Sequence, residues 1–175
     1  MRSSLLALLL VVAASALSCG SPPVTPSEVT IHAVPPGREA IAAMLDDWHD
    51  SAARADEARY FGHLDDDAVF LGTDAKERWD PVAFRAYAHP HFARGKAWSF
   101  KAIRREITVD VGGRIAWFDE DLDAPNLGPS RGSGVVSLRG SAWKIRQYNL
   151  AITVPNERFD AVKQAAAGIA KDPAP

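Results

Sequence analysis

Apolar residues early in the folded region recur with the spacing of a helix. Between Gly37 and Arg54 they fall three or four positions apart, and most of the acidic residues lie off that stripe. The pattern predicts one amphipathic helix that packs a single face against a sheet. The predicted contact face consists of Ile41, Met44, Leu45, Trp48 and Ala52.

Two shorter helices and a short strand are predicted next. Asp56 is a suitable N-cap for the second helix, and the strand covers residues 68–71. Asp80 followed by Pro81 predicts the start of the third helix, because aspartate caps the first turn and proline loses no hydrogen bond there. Pro90 is expected to distort or end this helix.

From Trp98 onward the pattern changes to the two-residue period of β-strands. A pair of glycines at residues 112–113 predicts a tight hairpin, and residues 124–130, which include two prolines, predict a longer loop. Four strands are therefore predicted over residues 98–111, 114–123, 131–139 and 142–154. Helices followed by an antiparallel meander are typical of an α+β fold.

The last predicted strand has two chemically different ends on one face. A period of two places Trp143, Ile145, Gln147 and Asn149 on the same side of the sheet. This face is apolar where the strand begins and polar where it ends. Such a face is expected to line a deep cavity whose opening is exposed to solvent.

The chain begins with a different kind of segment. An uncharged apolar run over residues 5–14 follows Arg2 and precedes Cys19, the only cysteine. The run is too short to span a bilayer and is typical of a secretory signal with a small-residue processing site. It resembles a bacterial lipoprotein signal, in which the lipidated thiol becomes the new N-terminus. The alternative is an ordinary cleaved signal with an incidental cysteine nearby.

The lipoprotein resemblance implies a location and a domain plan. Gly20 follows the cysteine where a retention signal would place aspartate, so the resemblance implies a lipid anchor at the outer membrane of the bacterial cell envelope, facing the periplasm. The plan has a signal peptide at residues 1–18, the lipidated cysteine with a tether rich in proline and serine at residues 19–36, the folded domain at residues 37–156, and a C-terminal helix or tail at residues 157–175.

Composition narrows the classes of partner. With 20 Lys and Arg against 22 Asp and Glu the charge is nearly balanced, which argues against a nucleic-acid partner or a polybasic lipid-binding surface. About 155 residues follow the signal, enough for one domain with a core. His89 and His91 flank a proline, but the sequence marks no third ligand, so neither a metal site nor a cofactor is predicted.

Three stretches of sequence resemble one known family. They read FLGTDAKERW at residues 70–79, RGSGVV at residues 131–136 and WKIRQYNLAITVPN at residues 143–156, and they look like the SnoaL-like branch of the nuclear transport factor 2-like superfamily. The resemblance implies a cystatin-like roll over residues 38–156, in which three N-terminal helices wrap a curved antiparallel sheet into a cone. It also implies a homodimer, since members often dimerise through the open face of the sheet. Members use the pocket for catalysis, ligand binding or protein contacts, so function must be argued from the site.

The implied cone places the candidate pocket residues. By resemblance, Gln147 and Asn149 face inward from the last strand, above an aromatic floor and below a polar rim. Hydrogen bonding to nearby backbone is the competing role for these two amides, and turn or cap formation is the competing role for Asp74 and Glu77. The floor is predicted from Trp143, Trp79, Phe70 and Tyr87 and the rim from Thr73, Asp74 and Glu77, while Trp48, Trp98 and Trp117 are predicted to be core or cone wall.

Asn149 favours binding over catalysis. Family members often have histidine at this position, and asparagine cannot exchange a proton near neutral pH. We therefore expect a membrane-tethered protein that binds a small, partly apolar molecule or a protein partner without catalysis. The alternative is a small isomerase, dehydratase or hydrolase, in which Asp119 opposite Arg131 or Arg146 would be the catalytic carboxylate. An exposed salt bridge is the competing role for Asp119.

Overall fold

Four α-helices, six strands and a short 3-10 helix (Asn156–Arg158) lie within residues 37–169, the part of the chain that the computed structural model describes. The helices are α1 (Arg38–Ala53), α2 (Glu57–Gly62), α3 (Pro81–Ala93) and α4 (Phe159–Ile169). The strands are β1 (Leu64–Leu71), β2 (Arg78–Trp79), β3 (Lys101–Val109), β4 (Ile115–Asp123), β5 (Ser130–Arg139) and β6 (Ala142–Ile152). The predicted signal segment, the predicted lipidation site Cys19 and the tether lie outside these residues.

The strands form one curved sheet in the order β2-β1-β6-β5-β4-β3. Strands β3 to β6 form the predicted antiparallel meander, and with the helices in the N-terminal part they confirm the α+β fold class. Strand β1 lies parallel to β6, so the sheet is mixed rather than wholly antiparallel. Parallel neighbours need a long connection, and the chain from β1 to β6 supplies one through α3 and the first strands of the meander.

The helix starts follow the predicted caps. Asp56 Oδ1 accepts a hydrogen bond from Arg59 N–H at 3.1 Å, and Asp80 Oδ1 accepts one from Ala83 N–H at 2.8 Å. Each cap satisfies a backbone donor that a helix start leaves without an intrahelical partner, which stabilises the helix by about 1 kcal/mol. Pro90 does not end α3, which continues for three residues beyond it.

The core lies between the N-terminal helices and the inner face of the sheet. Ile41, Leu45 and Trp48 of the predicted stripe are at most 1% exposed, and fully burying a large apolar side chain contributes roughly 1.5–3 kcal/mol. Helix α2 adds Tyr60, whose ring stacks on Trp48 with 5.0 Å between centroids. Helix α3 adds Phe84, so all three helices pack on one core.

A β-bulge in β6 changes which residues face the core. Val135 pairs with Gln147 and Val136 pairs with Ile145, so Arg146 is an extra residue in β6. An inserted residue shifts the alternation of side chains by one position. The side chains that follow the bulge therefore point to the face opposite to the one that a regular strand would give them.

The prediction that Gln147 and Asn149 share the inner face with Trp143 is wrong for this reason. Trp143 is buried, but beyond the bulge the buried side chains of β6 are those of Tyr148 and Leu150. Gln147 is exposed and Asn149 is half-buried, both on the outer face. The sequence pattern does not reveal the bulge, because polar and apolar residues alternate on both sides of it.

The outer face of the sheet carries apolar and charged side chains together. Strand β4 alternates, so that Phe118 is buried while Trp117 and Asp119 point outward. Trp117 is 51% exposed, and the prediction that it belongs to the core or the cone wall is therefore wrong. Trp48 is buried in the core and Trp98 packs against it, as predicted.

The C-terminal helix α4 stands apart from the core. Its residues up to Gly168 are exposed, including Phe159 at 61% and Val162 at 44%. The helix is amphipathic, and none of the other residues in 37–169 covers its apolar face. Of the helices in this described range, none is both long and apolar enough to cross a bilayer.

Candidate functional site

A cavity opens between α3, the β1–β2 end of the sheet and the segment that leads into β3. Its volume is about 200 Å³. The walls are largely aromatic, from Phe70, Trp79, Phe84, Tyr87, Trp98 and Phe100. The other lining residues are Gly72, Thr73, Glu77, His91, Ser99, Asn126, Leu127 and Leu150.

Ring stacking holds the aromatic wall in shape. The centroid of Phe84 lies 4.0 Å from that of Phe70 and 5.4 Å from that of Trp79, and the centroid of Trp79 lies 4.4 Å from that of Tyr87. Stacked pairs of this kind contribute about 0.5–1.5 kcal/mol each beyond the burial of their area. The wall is therefore formed before a ligand arrives.

A tight turn holds Glu77 at the rim. Gly72 N–H donates to the Glu77 carbonyl at 2.9 Å, and Asp74 N–H donates to Glu77 Oε2 at 3.1 Å. The carboxylate lies so close to Gly72 that a Cβ atom at this position would be 2.0 Å from Oε2. Any side chain at residue 72 would therefore push the carboxylate out of its place. Glu77 supplies the only carboxylate among the described residues that line the cavity.

The two histidines of α3 have different surroundings. His91 lines the cavity, and its Nδ1 lies 3.1 Å from a guanidinium nitrogen of Arg94. Because a guanidinium group only donates, Nδ1 is the acceptor and carries no proton in this contact. His89 is not part of the lining, and its Nδ1 lies 2.7 Å from Glu57 Oε2. Within residues 37–169, no group of three or more His, Asp, Glu or Cys side chains is placed to hold a metal ion.

Most of the residues predicted for the floor and the rim of the pocket line this cavity. Trp143 is the exception in the floor, since it is buried in the core and is not part of the lining. Asp74 is the exception in the rim. It accepts a hydrogen bond from Lys76 N–H at 2.8 Å, which is the competing turn role. Five of the predicted pocket residues do line the cavity, and their part in binding stays a prediction: Phe70, Thr73, Glu77, Trp79 and Tyr87.

Gln147 and Asn149 lie on the side of the sheet opposite to the cavity. Gln147 lines an outer groove together with Val135. Asn149 pairs with Leu71 of β1 and Ser133 of β5 within the sheet. Neither amide side chain reaches the aromatic cavity.

Asp119 is a surface residue of the outer face. Its Oδ1 accepts a hydrogen bond from Arg104 at 2.8 Å, and both side chains are 44% exposed. Arg104 also binds Asp121 at 2.9 Å, and Asp121 lies 3.4 Å from Arg131. The prediction that Asp119 is a catalytic carboxylate in the pocket is wrong, because its position on β4 points it away from the cavity. The exposed salt bridge is the role that it has.

A buried charged cluster lies behind the cavity wall. Glu120 of β4 is fully buried, and its Oε1 lies 2.7 Å from His49 Nε2 and 3.1 Å from the Tyr148 hydroxyl. Its Oε2 accepts a hydrogen bond from Arg105 Nε at 2.8 Å. Sequence reasoning missed this cluster, although the strand period carries a signal for it. A period of two places Glu120 on the same face as the buried Phe118.

The cluster keeps Glu120 ionised. Burial alone would raise the pKa of its carboxyl, but the hydrogen bond and charge of His49 and the charge of Arg105 outweigh burial and hold the pKa below its ordinary value. Burial and the charge of Glu120 raise the pKa of Tyr148 well above its usual range, so the phenol keeps its proton. Phe100 packs edge-on against His49, with 6.2 Å between centroids. The cluster therefore supports the cavity wall from behind and is not part of the lining.

Comparison with known families agrees with this architecture. A family model described as "SnoaL-like domain" matches residues 41–155. The chain belongs to the SnoaL-like family. The resemblance of the three sequence stretches is thereby confirmed at the level of the family. No curated protein sequence matches the chain.

Several solved structures share the fold of this SnoaL-like domain. A nuclear transport factor 2-like protein of unknown function from Pseudomonas putida KT2440 is 12% identical with a TM-score of 0.56, over 69% of this chain and 89% of that one. A candidate scytalone dehydratase from Novosphingobium aromaticivorans DSM 12444 is 13% identical with a TM-score of 0.56, over 67% of this chain and 84% of that one. A candidate ketosteroid isomerase from Parabacteroides distasonis ATCC 8503 is 19% identical with a TM-score of 0.53, over 66% of this chain and 86% of that one. At these identities the likeness shows the fold alone.

The cavity of this SnoaL-like domain combines apolar walls with a polar rim. The rim groups are the hydroxyls of Thr73 and Ser99, the amide of Asn126, the imidazole of His91 and the carboxylate of Glu77. Groups of this kind orient a ligand through hydrogen bonds, while aromatic walls supply contact area. One carboxylate and one imidazole are fewer groups than the three or four side chains that hold a metal ion.

Proposed function

We propose that this SnoaL-like domain binds a small, partly apolar molecule in its aromatic cavity without converting it. The observation that carries the proposal is the stacked aromatic wall around a volume of about 200 Å³. A dry apolar cavity of about 150 Å³ holds benzene, so this cavity suits a ligand of one or two rings or a compact aliphatic group. The open mouth and its polar rim accommodate one polar substituent.

Two features favour binding over catalysis. Asp119 lies on the outer face in an exposed salt bridge. The buried pair of His49 and Glu120 has the composition of a base with its orienting acid, but Phe100 stands between it and the cavity. A general base must lie within hydrogen-bond reach of the proton that it takes. For a ligand in the cavity, neither Asp119 nor the buried pair meets that condition.

A small isomerase or dehydratase is the alternative function. Glu77, Tyr87 and His91 are titratable side chains that line the cavity, and they would supply the acid and the base of such an enzyme. Conversion of a bound compound by the wild-type protein, with loss of conversion in Glu77→Gln, would establish this alternative. Binding without any conversion is the result that we expect.

Thermal denaturation in the presence of small aromatic and alicyclic compounds tests the binding proposal. A ligand at 100 times its dissociation constant stabilises the folded state by about 2.7 kcal/mol, because only that state binds it. Leu127→Trp should fill part of the cavity and abolish the shift of the midpoint, whereas Val111→Trp, at an exposed position outside the lining, should retain it. No shift with any compound, or equal shifts in both variants, would contradict the proposal.

We also propose that Cys19 anchors the domain to the outer membrane, on its periplasmic side. The support comes from the sequence of residues 1–36, in which the apolar run and the small-residue processing site precede the cysteine. Two or more acyl chains give stable attachment, whereas one chain gives only marginal binding. The anchor and the cavity are then separate modules joined by the tether.

A further inference from the structure

The cavity lining carries a negative charge without a compensating cation. Glu77 is the one carboxylate among the described lining residues, and none of these residues is Lys or Arg. Arg94 lies beside His91, but it is exposed and donates to the unprotonated Nδ1 of that ring. A charge directed into water is weakened by the high dielectric constant and by salt. The field inside the cavity is therefore set mainly by Glu77.

Ring faces that are open to the cavity act in the same direction as Glu77. The face of an aromatic ring carries the negative end of a quadrupole and attracts cations within about 6 Å of the ring centroid, most strongly in tryptophan. Six aromatic side chains, among them Trp79 and Trp98, line a volume of about 200 Å³. A cation held in this volume lies near several rings, whereas an anion there meets Glu77 unfavourably.

We infer that the cavity recognises an organic cation, a small quaternary or alkylated ammonium group, with Glu77 as its counter-charge. This inference rests on the proposed function, because it names the class of ligand that the same cavity binds. Glu77 is suited to the role because it is half-buried and its Oε2 accepts the Asp74 N–H at 3.1 Å, which fixes the carboxylate at the rim. Alkyl groups on the nitrogen bury apolar area against the rings, which a bare ammonium ion cannot do.

Choline and 3,3-dimethyl-1-butanol test the inference, because they share one shape and differ in the charge of a single atom. In calorimetric titrations of the purified full-length protein, choline should bind roughly 10-fold more tightly, within the range of about 2- to 30-fold that cation–π contacts supply. Glu77→Gln should remove most of this preference and leave the affinity for the alcohol unchanged. Glu106→Gln, the same change at an exposed residue of β3, should retain the preference.

The outcomes separate this inference from the proposed function. If the alcohol binds at least as tightly as choline and Leu127→Trp abolishes its binding, the cavity binds small molecules and the cation inference is overturned. If neither probe binds, the inference is also overturned, and the proposed function falls only if no compound in the thermal screen shifts the midpoint. Should Glu77→Gln fail to fold, Trp98→Leu removes one ring of the wall and must lower the preference for choline.

Discussion

Glu120 is a buried carboxylate whose negative charge is balanced from several sides. His49 and Arg105 lie at 2.7 and 2.8 Å from its oxygens, and the Tyr148 hydroxyl donates at 3.1 Å. Breaking a buried ion pair by removing one partner is costly, because the other charge is left in a medium of low dielectric constant. The cluster therefore stabilises the fold only as a complete set.

Glu120→Gln should lower the free energy of unfolding by about 3 kcal/mol. We expect the lower end of the usual range, because Arg105 keeps a second partner in Asp46 at 2.8 Å. Urea denaturation measures this effect. The matched control is Asp119→Asn, which removes an exposed charge pair on the same strand and should cost about 0–1 kcal/mol. Equal losses in the two variants would contradict the description of the cluster.

At the scale of elements, α1 and α4 are both amphipathic helices, but within residues 37–169 only the apolar face of α1 is covered. Ile41→Ala should cost about 2–5 kcal/mol of unfolding free energy, because a fully buried side chain leaves a cavity. Val162→Ala should change it by less than about 0.5 kcal/mol, because the side chain is exposed. Denaturant titration of the two variants checks this difference. A loss above 1 kcal/mol in Val162→Ala would show that α4 packs against the domain.

Elements with a strong local signal could be predicted from the sequence. Helix α1 has a regular apolar stripe, and α2 and α3 begin at Asp56 and Asp80, whose caps need only local contacts. The bulge at Arg146 and the parallel pairing of β1 with β6 could not be predicted in the same way. Both depend on register between strands that are distant in sequence, and a period of two carries no information about register.

The difference between local signals and the register of distant strands also explains which part of the candidate site could be predicted. The residues near β1 and α3, such as Phe70, Trp79 and Tyr87, follow from the resemblance to the family and do line the cavity. A strand period extended across the bulge predicts the wrong face for Gln147 and Asn149, because the bulge reverses their side. The lining residues that come from loops, such as Ser99 and Leu127, have no periodic pattern that marks them.

At the scale of the whole molecule, we expect the fold of the domain not to depend on the proposed anchor. Cys19→Ser should release the protein from the membrane fraction and leave its thermal midpoint unchanged, because residue 19 precedes the described domain. Fractionation of cells followed by thermal denaturation measures both properties. Ser21→Ala is the control and should stay in the membrane fraction. A Cys19→Ser protein that still sediments with membranes would contradict the lipid anchor.

The central claim is that the aromatic cavity is the binding site, and fluorine NMR tests it most directly. The chain has five tryptophans, which can be labelled with 5-fluorotryptophan and assigned through single Trp→Phe variants. On addition of a compound that raises the thermal midpoint, the resonances of Trp79 and Trp98 in the cavity should shift. Those of Trp117 on the outer face and Trp143 in the core should not. A shift of Trp117 with Trp79 and Trp98 unchanged would contradict the claim and place the ligand on the outer face of the sheet.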